Sequence, residues 1–93
     1  MCELYTLIKN EDDKECYIQF LVYDDEELKW VGDNGEPTEV LQQSSWSFQD
    51  DKYNEFFGEF IEEAKQLDLV GLTEGMASGE ALKIHDGLKI KKE

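Results

Sequence analysis

Carboxylates are the side chains of this sequence whose number and spacing could support chemistry or binding. The sequence has 23 Asp and Glu in 93 residues. Those that we assign to a partner-binding surface fall in two short runs and one helical segment: Asp12 and Asp13; Asp24, Asp25, Glu26 and Glu27; and Glu55, Glu59, Glu62 and Glu63. Like charges four residues apart destabilise a helix by roughly 0.2–0.5 kcal/mol per pair. We therefore predict an acidic surface that imitates the charge density of a phosphate backbone, the alternative being a face that is only solvated.

Aromatic residues beside the acids are predicted to supply affinity. Tyr23 and Trp30 flank the run of acids at 24–27, and aromatic side chains are enriched at interface hot spots. Tyr5 and Tyr17 are expected to extend the same patch across a sheet. Trp30 has a second interpretation as a core residue of its strand, and the sequence leaves the two interpretations open.

Residue types typical of catalysis and metal binding are sparse. His85 is the only histidine, and no third group orients it toward Cys16 as a nucleophilic pair would require. Cys2 and Cys16 lie too far apart in the expected hairpin for a disulfide. The acidic runs lack the alternate spacing of a calcium loop, and there is no glycine-rich phosphate motif. We predict no enzymatic activity, no cofactor and no metal site.

The net charge of −14, with nine Lys as the only basic residues, restricts the partners. It predicts repulsion from nucleic acid and from anionic membranes, so neither is expected to bind directly. The expected partner is a protein with a basic surface, such as a nucleic-acid-binding protein or a nuclease; the oligomeric state stays open. No basic leader and no apolar run of about 18 residues is present, which favours a cytoplasmic protein. Residues 81–93 are mildly basic, in contrast to 1–80.

Hydrophobic patterns predict a single domain, 1–93, of class α+β, in which an antiparallel sheet of three to five strands carries one main amphipathic helix on one face. Strands are expected at 2–9, 16–24 and 27–31. With Ile8 opposite Cys16, the two sheet faces would collect different side chains. The predicted faces are Cys2, Leu4, Ile8, Ile18, Phe20 and Val22 on one side, and Tyr5, Leu7, Tyr17, Leu21 and Tyr23 on the other.

The rest of the chain is predicted to contain one helix and several shorter segments. Apolar residues at Tyr53, Phe56, Phe57, Phe60, Ile61 and Ala64 recur with the period of a helix over 51–65. Residues 38–49 fit a strand, a helical turn or a loop. Glycines recur in 71–79, for which we expect a loop. The sequence of residues 81–93 predicts a hairpin around His85-Asp86-Gly87. The alternative is a short helix that Gly87 terminates.

In size, charge and absence of catalytic motifs the chain is similar in character to phage-encoded DNA mimics, such as anti-restriction, anti-CRISPR and uracil-DNA-glycosylase inhibitor proteins. We therefore expect an inhibitory or regulatory protein that occupies the basic nucleic-acid-binding surface of a partner such as a defence nuclease. Two alternatives stay open. One is an immunity or antitoxin-type protein that neutralises a basic toxin, and the other is a housekeeping domain whose acidity serves only solubility.

Overall fold

The described residues of the chain form a six-stranded antiparallel sheet with two helices on one face. The structure, a computed structural model, describes residues 1–32, 34–41 and 51–93, and the side chains of all of these except 51–53. Its elements are β1 (Cys2–Glu11), β2 (Lys14–Tyr23), β3 (Leu28–Val31), β4 (Pro37–Thr38), α1 (Asp51–Lys65), α2 (Leu69–Thr73), β5 (Ala81–His85) and β6 (Leu88–Lys92). The sheet therefore has more strands than the three to five predicted, and there is a second helix.

The strand order is β4-β3-β2-β1-β6-β5, so the first and last strands of the chain are neighbours in the middle of the sheet. β1 pairs with β2 on one side and with β6 on the other. The additional strand β4 has only two residues, of which Thr38 belongs to the segment 38–49 whose structure the sequence left open. Residues 42–49 of that region, with Trp46 and Phe48, lie outside the described residues.

The predicted register of the first hairpin is wrong by one residue. Ile8 pairs with Tyr17, and Glu11 pairs with Lys14, which leaves a two-residue turn. Both turn residues, Asp12 and Asp13, have positive φ, 50° and 63°. Such a turn matches the twist of a hairpin, and Asp tolerates the left-handed conformation better than most residues. Because side chains alternate along a strand, a slip of one residue exchanges the faces of β1 relative to β2.

The corrected register assigns different residues to the two faces of the sheet. The inner face, which the helices cover, includes Tyr5, Leu7, Cys16, Ile18, Phe20, Leu88 and Ile90, all of them buried. The open face includes Leu4, Ile8, Tyr17, Leu21 and Tyr23. The predicted grouping of Tyr5 and Leu7 with the open-face tyrosines is therefore wrong, and Cys2, Leu4 and Ile8 are not on the face of Phe20.

The helix predicted over 51–65 is present as α1. Phe57, Phe60, Ile61 and Ala64 are buried in the same core cluster as the inner face, and Phe56 is half-buried at its margin. Tyr53 has no described side chain. The helical recurrence of apolar residues thus identifies the side of α1 that packs in the core.

The expectation of a loop over 71–79 is wrong for its first three residues. Leu69–Thr73 form α2, whose backbone N–H at Gly71 donates to the Asp68 side chain at 3.0 Å. Asp68 therefore acts as the N-cap, and its position before a short apolar run was the signal for this helix. Leu69 and Thr73 are buried, so α2 covers one end of the inner face.

The C-terminal hairpin is confirmed as β5 and β6, and the alternative of a short helix is wrong. Gly87 has φ of 86° and lies close to β1: a Cβ there would meet the Asn10 carbonyl oxygen at 2.6 Å. The Asn10 N–H donates to the Gly87 carbonyl at 2.7 Å. Glycine is thus required for both the turn and its contact with β1.

Candidate acidic interface

The outer side of α1 carries a row of exposed carboxylates. Glu55, Glu59 and Glu62 are all exposed, and with a rise of about 1.5 Å per residue they span about 10 Å along the helix axis. The opposite side of the same helix holds Phe57 and Phe60 in the core. The apolar stripe thus fixes the orientation of the acidic row toward solvent.

Gly58 forms the floor of a shallow depression between these glutamates, which also line it. A Cβ at this position would meet nothing within 4 Å, and its φ is not in the left-handed region. Glycine inside a helix costs about 1 kcal/mol relative to alanine. Neither the backbone conformation nor the packing of the described residues requires glycine at position 58.

Glu63, the fourth glutamate of the helix, contacts two side chains of the same chain. Its carboxylate accepts from Lys9 of β1 and contacts the His85 imidazole of β5. The Lys9 ammonium also lies 5.9 Å from the centre of the Phe56 ring. Glu63 is thus half-buried and joins α1 to two strands, whereas the other three glutamates of α1 are exposed, and Glu62 pairs only with the exposed Lys65 among the residues described.

These contacts shift the pKa values of Glu63 and His85. The ammonium of Lys9 holds the pKa of Glu63 below its ordinary value, against the opposing effect of burial. The pKa of His85 is raised, first by the Asp86 carbonyl and then by Glu63. The two imidazole nitrogens face these two oxygens, and only the protonated ring donates from both nitrogens. The arrangement therefore favours a charged His85.

The two acidic turns lie at opposite ends of β2. This strand has ten residues, or about 30 Å of length, between Asp13 and Asp24. Asp24 contacts the N-terminal ammonium at 3.0 Å, and Glu27 lies 4.0 Å from the Lys29 ammonium. The structure therefore does not bring the two turns together, and each presents its own cluster of carboxylates.

The aromatic residues predicted as anchors are divided between the two faces. Tyr23 is half-buried on the open face, where the Lys29 ammonium lies 5.5 Å from its ring centre. Trp30 is half-buried on the inner face, edge-on to Phe20 at 5.8 Å between ring centres. Tyr5 is buried and stacks on Phe20, so it cannot extend a surface patch. Tyr17 alone is exposed, on the open face.

The cysteines and the described acids bear on other kinds of site. Cys2 is exposed and Cys16 is buried on the inner face, and neither is in a disulfide. Within the residues that the structure describes, no three His, Cys, Asp or Glu side chains are arranged to hold a metal ion. Of the two described helices, with 15 and five residues, neither is long and apolar enough to cross a membrane.

Comparison of the chain with protein-family models, with curated proteins and with solved structures found no match in any of the three.

Sequence reasoning missed two largely buried lysines of the inner face. Lys9 contacts Glu63, and Lys92 lies 2.7 Å from Glu3 and donates to the Met76 carbonyl at 2.9 Å. Their ammonium-bearing side chains are only 14% and 15% exposed. Lys9 continues the alternation of Tyr5 and Leu7, and this position in phase with core residues was the available signal.

Proposed function

We propose that the chain is an inhibitory or regulatory binding protein whose outer α1 surface occupies the basic nucleic-acid-binding surface of another protein. The supporting observation is the row of exposed carboxylates at Glu55, Glu59 and Glu62 around Gly58. The row is not used for packing, and its like charges and its glycine both weaken the helix that carries it.

The spacing of the row suits a surface that normally binds phosphates. Glu55 and Glu59 are about 6 Å apart along the axis, and Glu59 and Glu62 about 4.5 Å, whereas phosphates follow one another every 3.4 Å or so along one DNA strand. The match is one of charge density rather than of individual positions. The depression over Gly58 leaves the helix backbone open to a protruding side chain of the partner.

Electrostatic attraction of this kind acts mainly on the rate of association, so binding should be fast at low salt and weaken steeply as salt rises. Glu63 is engaged within the fold and is assigned no contact with the partner. The acids of the two β turns lie at opposite ends of the sheet, and we assign them to long-range attraction rather than to the contact itself.

The test compares two triple variants with the same change in net charge. Glu55, Glu59 and Glu62 are replaced by Gln in one, and the exposed Glu15, Glu36 and Glu74 in the other. Proteins captured from host lysate on the immobilised chain are then measured against both variants over a salt series. The first variant should bind at least about tenfold more weakly, and the second less than about threefold.

The same captured protein is tested for competition between the chain and double-stranded DNA. Mutual exclusion is expected. An affinity that does not change with salt, or equal weakening by both triple variants, would refute the assignment to α1. Simultaneous binding of DNA and the chain would refute the mimic mechanism and favour the toxin-neutralising alternative. The chain alone should give no DNA mobility shift at physiological salt.

A further inference from the structure

The open face of the sheet carries a cluster of lysines on a protein that is otherwise strongly acidic. Lys83 of β5 pairs directly with Lys89 of β6, and Lys91 follows two residues later on the same side. All three are exposed. Lys83 has an exposed partner in Asp86 at 2.8 Å, and no ion pair of Lys89 or Lys91 occurs among the residues described.

This cluster is unfavourable for the sheet itself. Like charges directly across two strands destabilise their pairing. A lysine on an edge strand can protect that edge from aggregation, which would explain Lys83. It would not explain Lys89 and Lys91, because β6 lies inside the sheet between β1 and β5. Edge protection alone therefore does not account for the cluster.

Among the strands that the structure describes, β5 lies at one edge of the sheet. An edge strand has a row of backbone N–H and C=O groups directed away from the sheet, which can pair with an added strand. Pairing with β6 begins one residue before β5, since the Lys92 N–H donates to the Glu80 carbonyl at 2.9 Å, whereas Gly79 lies in a turn with φ of 82°. A depression of about 270 Å³ lies beside β5, lined in part by Ala81, Lys83 and Lys89.

The two sides of β5 have different chemistry. Lys83 and Ala81 are on the open face, and Ala81 is paired with Lys91. Leu82 is on the inner face and is 40% exposed, although its cross-strand partner Ile90 is fully buried. An added strand would therefore meet positive charge on one side and uncovered apolar surface on the other.

We propose that β5 binds an extended acidic segment of a partner protein as a seventh strand. Carboxylates of the segment lie opposite Ala81 and Lys83, and an apolar residue lies opposite Leu82. The small Ala81 side chain allows a carboxylate to reach over it to Lys91. The recognised sequence thus alternates acidic and apolar residues, and this surface is separate from the α1 surface of the proposed function.

Two other occupants fit less well. In a two-fold antiparallel pair of β5 strands centred on residue 82 or 83, the open faces of the two copies would be continuous and their lysine clusters would adjoin, which is unfavourable. A nucleic acid strand would contact the lysines, but it has no peptide N–H and C=O groups to pair with the β5 edge and no aliphatic side chain to cover Leu82. The acidic outer side of α1 lies on the opposite face of the sheet, and exposed charges beyond about 8 Å are largely screened at physiological salt, so the α1 acids do not prevent an acidic segment from binding at β5.

The test uses the whole chain and a labelled peptide of four Glu-Val repeats. Binding is followed by fluorescence anisotropy and by amide chemical shifts, which should change over residues 79–92. A block peptide with four Glu followed by four Val, a Lys-Val repeat, and a Glu-Val repeat N-methylated on one edge serve as comparison probes. Each should bind at least about tenfold more weakly than the alternating acidic peptide.

Variant K89E/K91E should weaken binding of the Glu-Val peptide at least about tenfold, and each single variant, K89E or K91E, at least about threefold; K65E, which reverses one exposed lysine elsewhere and matches the single variants in charge, should weaken it less than about twofold. The neutral variant K89Q/K91Q, expected to lose about threefold, replaces it if the charge reversal impairs folding. The proposal is overturned if the alternating peptide does not bind, or if the block or N-methylated probe binds equally. Tighter binding of oligo(dT) through the same lysines, or self-association abolished by K89E/K91E, would also overturn it.

Discussion

Phe60 of α1 offers the sharpest test of the packing on which the acidic surface depends. Its side chain is completely buried, and its ring lies edge-on to that of Phe57 at 6.3 Å between centres. Truncating a buried Phe to Ala costs about 3–5 kcal/mol, of which alanine's higher helix propensity returns about 0.5 kcal/mol. We expect Phe60→Ala to lower the free energy of unfolding by about 3–4 kcal/mol.

That loss is a large part of the total for a chain of this length, about 5–14 kcal/mol at 0.05–0.15 kcal/mol per residue. It corresponds to a fall in the melting temperature of about 12–30 °C, measured by calorimetry together with urea unfolding. Phe56→Ala is the matched control, since this half-buried Phe precedes Phe60 by one turn; its expected cost is about 1–2 kcal/mol. Equal effects of the two variants, or a fall of only a degree or two for Phe60→Ala, would show that α1 packs through a different side.

Three further predictions concern turns and protonation. His85→Gln should lower the melting temperature more at about pH 5.5 than at about pH 8. The pKa of His85 is raised in the folded protein, so protonation of His85 stabilises the fold at pH values below its ordinary pKa. This stabilisation is lost as the pH rises through the pKa that His85 has in the folded protein. Replacing Asp12-Asp13 by Asn-Gly should raise stability by about 0.5–1 kcal/mol in urea unfolding, because both positions have positive φ. Gly87→Ala should cost more than Gly35→Ala, since both have positive φ but only Gly87 contacts the Asn10 carbonyl; equal melting temperatures would contradict this.

Local patterns predicted the helix over 51–65 and the first and last hairpins of the chain, because each is determined by side chains close together in sequence. The register of the first hairpin was not predicted, since it depends on which two residues occupy the turn, and Asp12-Asp13 lacks the glycine that usually marks such a turn. α2 and β4 were missed because elements of five and two residues contain too few positions to show a period.

The exposure of Glu55, Glu59 and Glu62 follows directly from the helical period. The surroundings of the remaining candidate residues do not follow from any local period. Glu63 differs from its neighbours only because Lys9 and His85, far away in sequence, meet it. Tyr23 and Trp30 are separated by the sheet itself, and their faces depend on the alternation of β2 and β3 rather than on their distance from the acidic turn.

The position of β1 between β2 and β6 has a consequence for synthesis on the ribosome. From the end of β2 at Tyr23 to the end of β6 at Lys92 there are 69 residues (92 − 23), which take about 3–14 s to translate at 5–20 residues per second. During that interval the nascent hairpin has an unpaired edge at β1, and Leu7 lacks its later partner Ile90. Nascent chains on one message are close together, so a slow stretch of codons before β6 would prolong the period in which these edges can pair with each other.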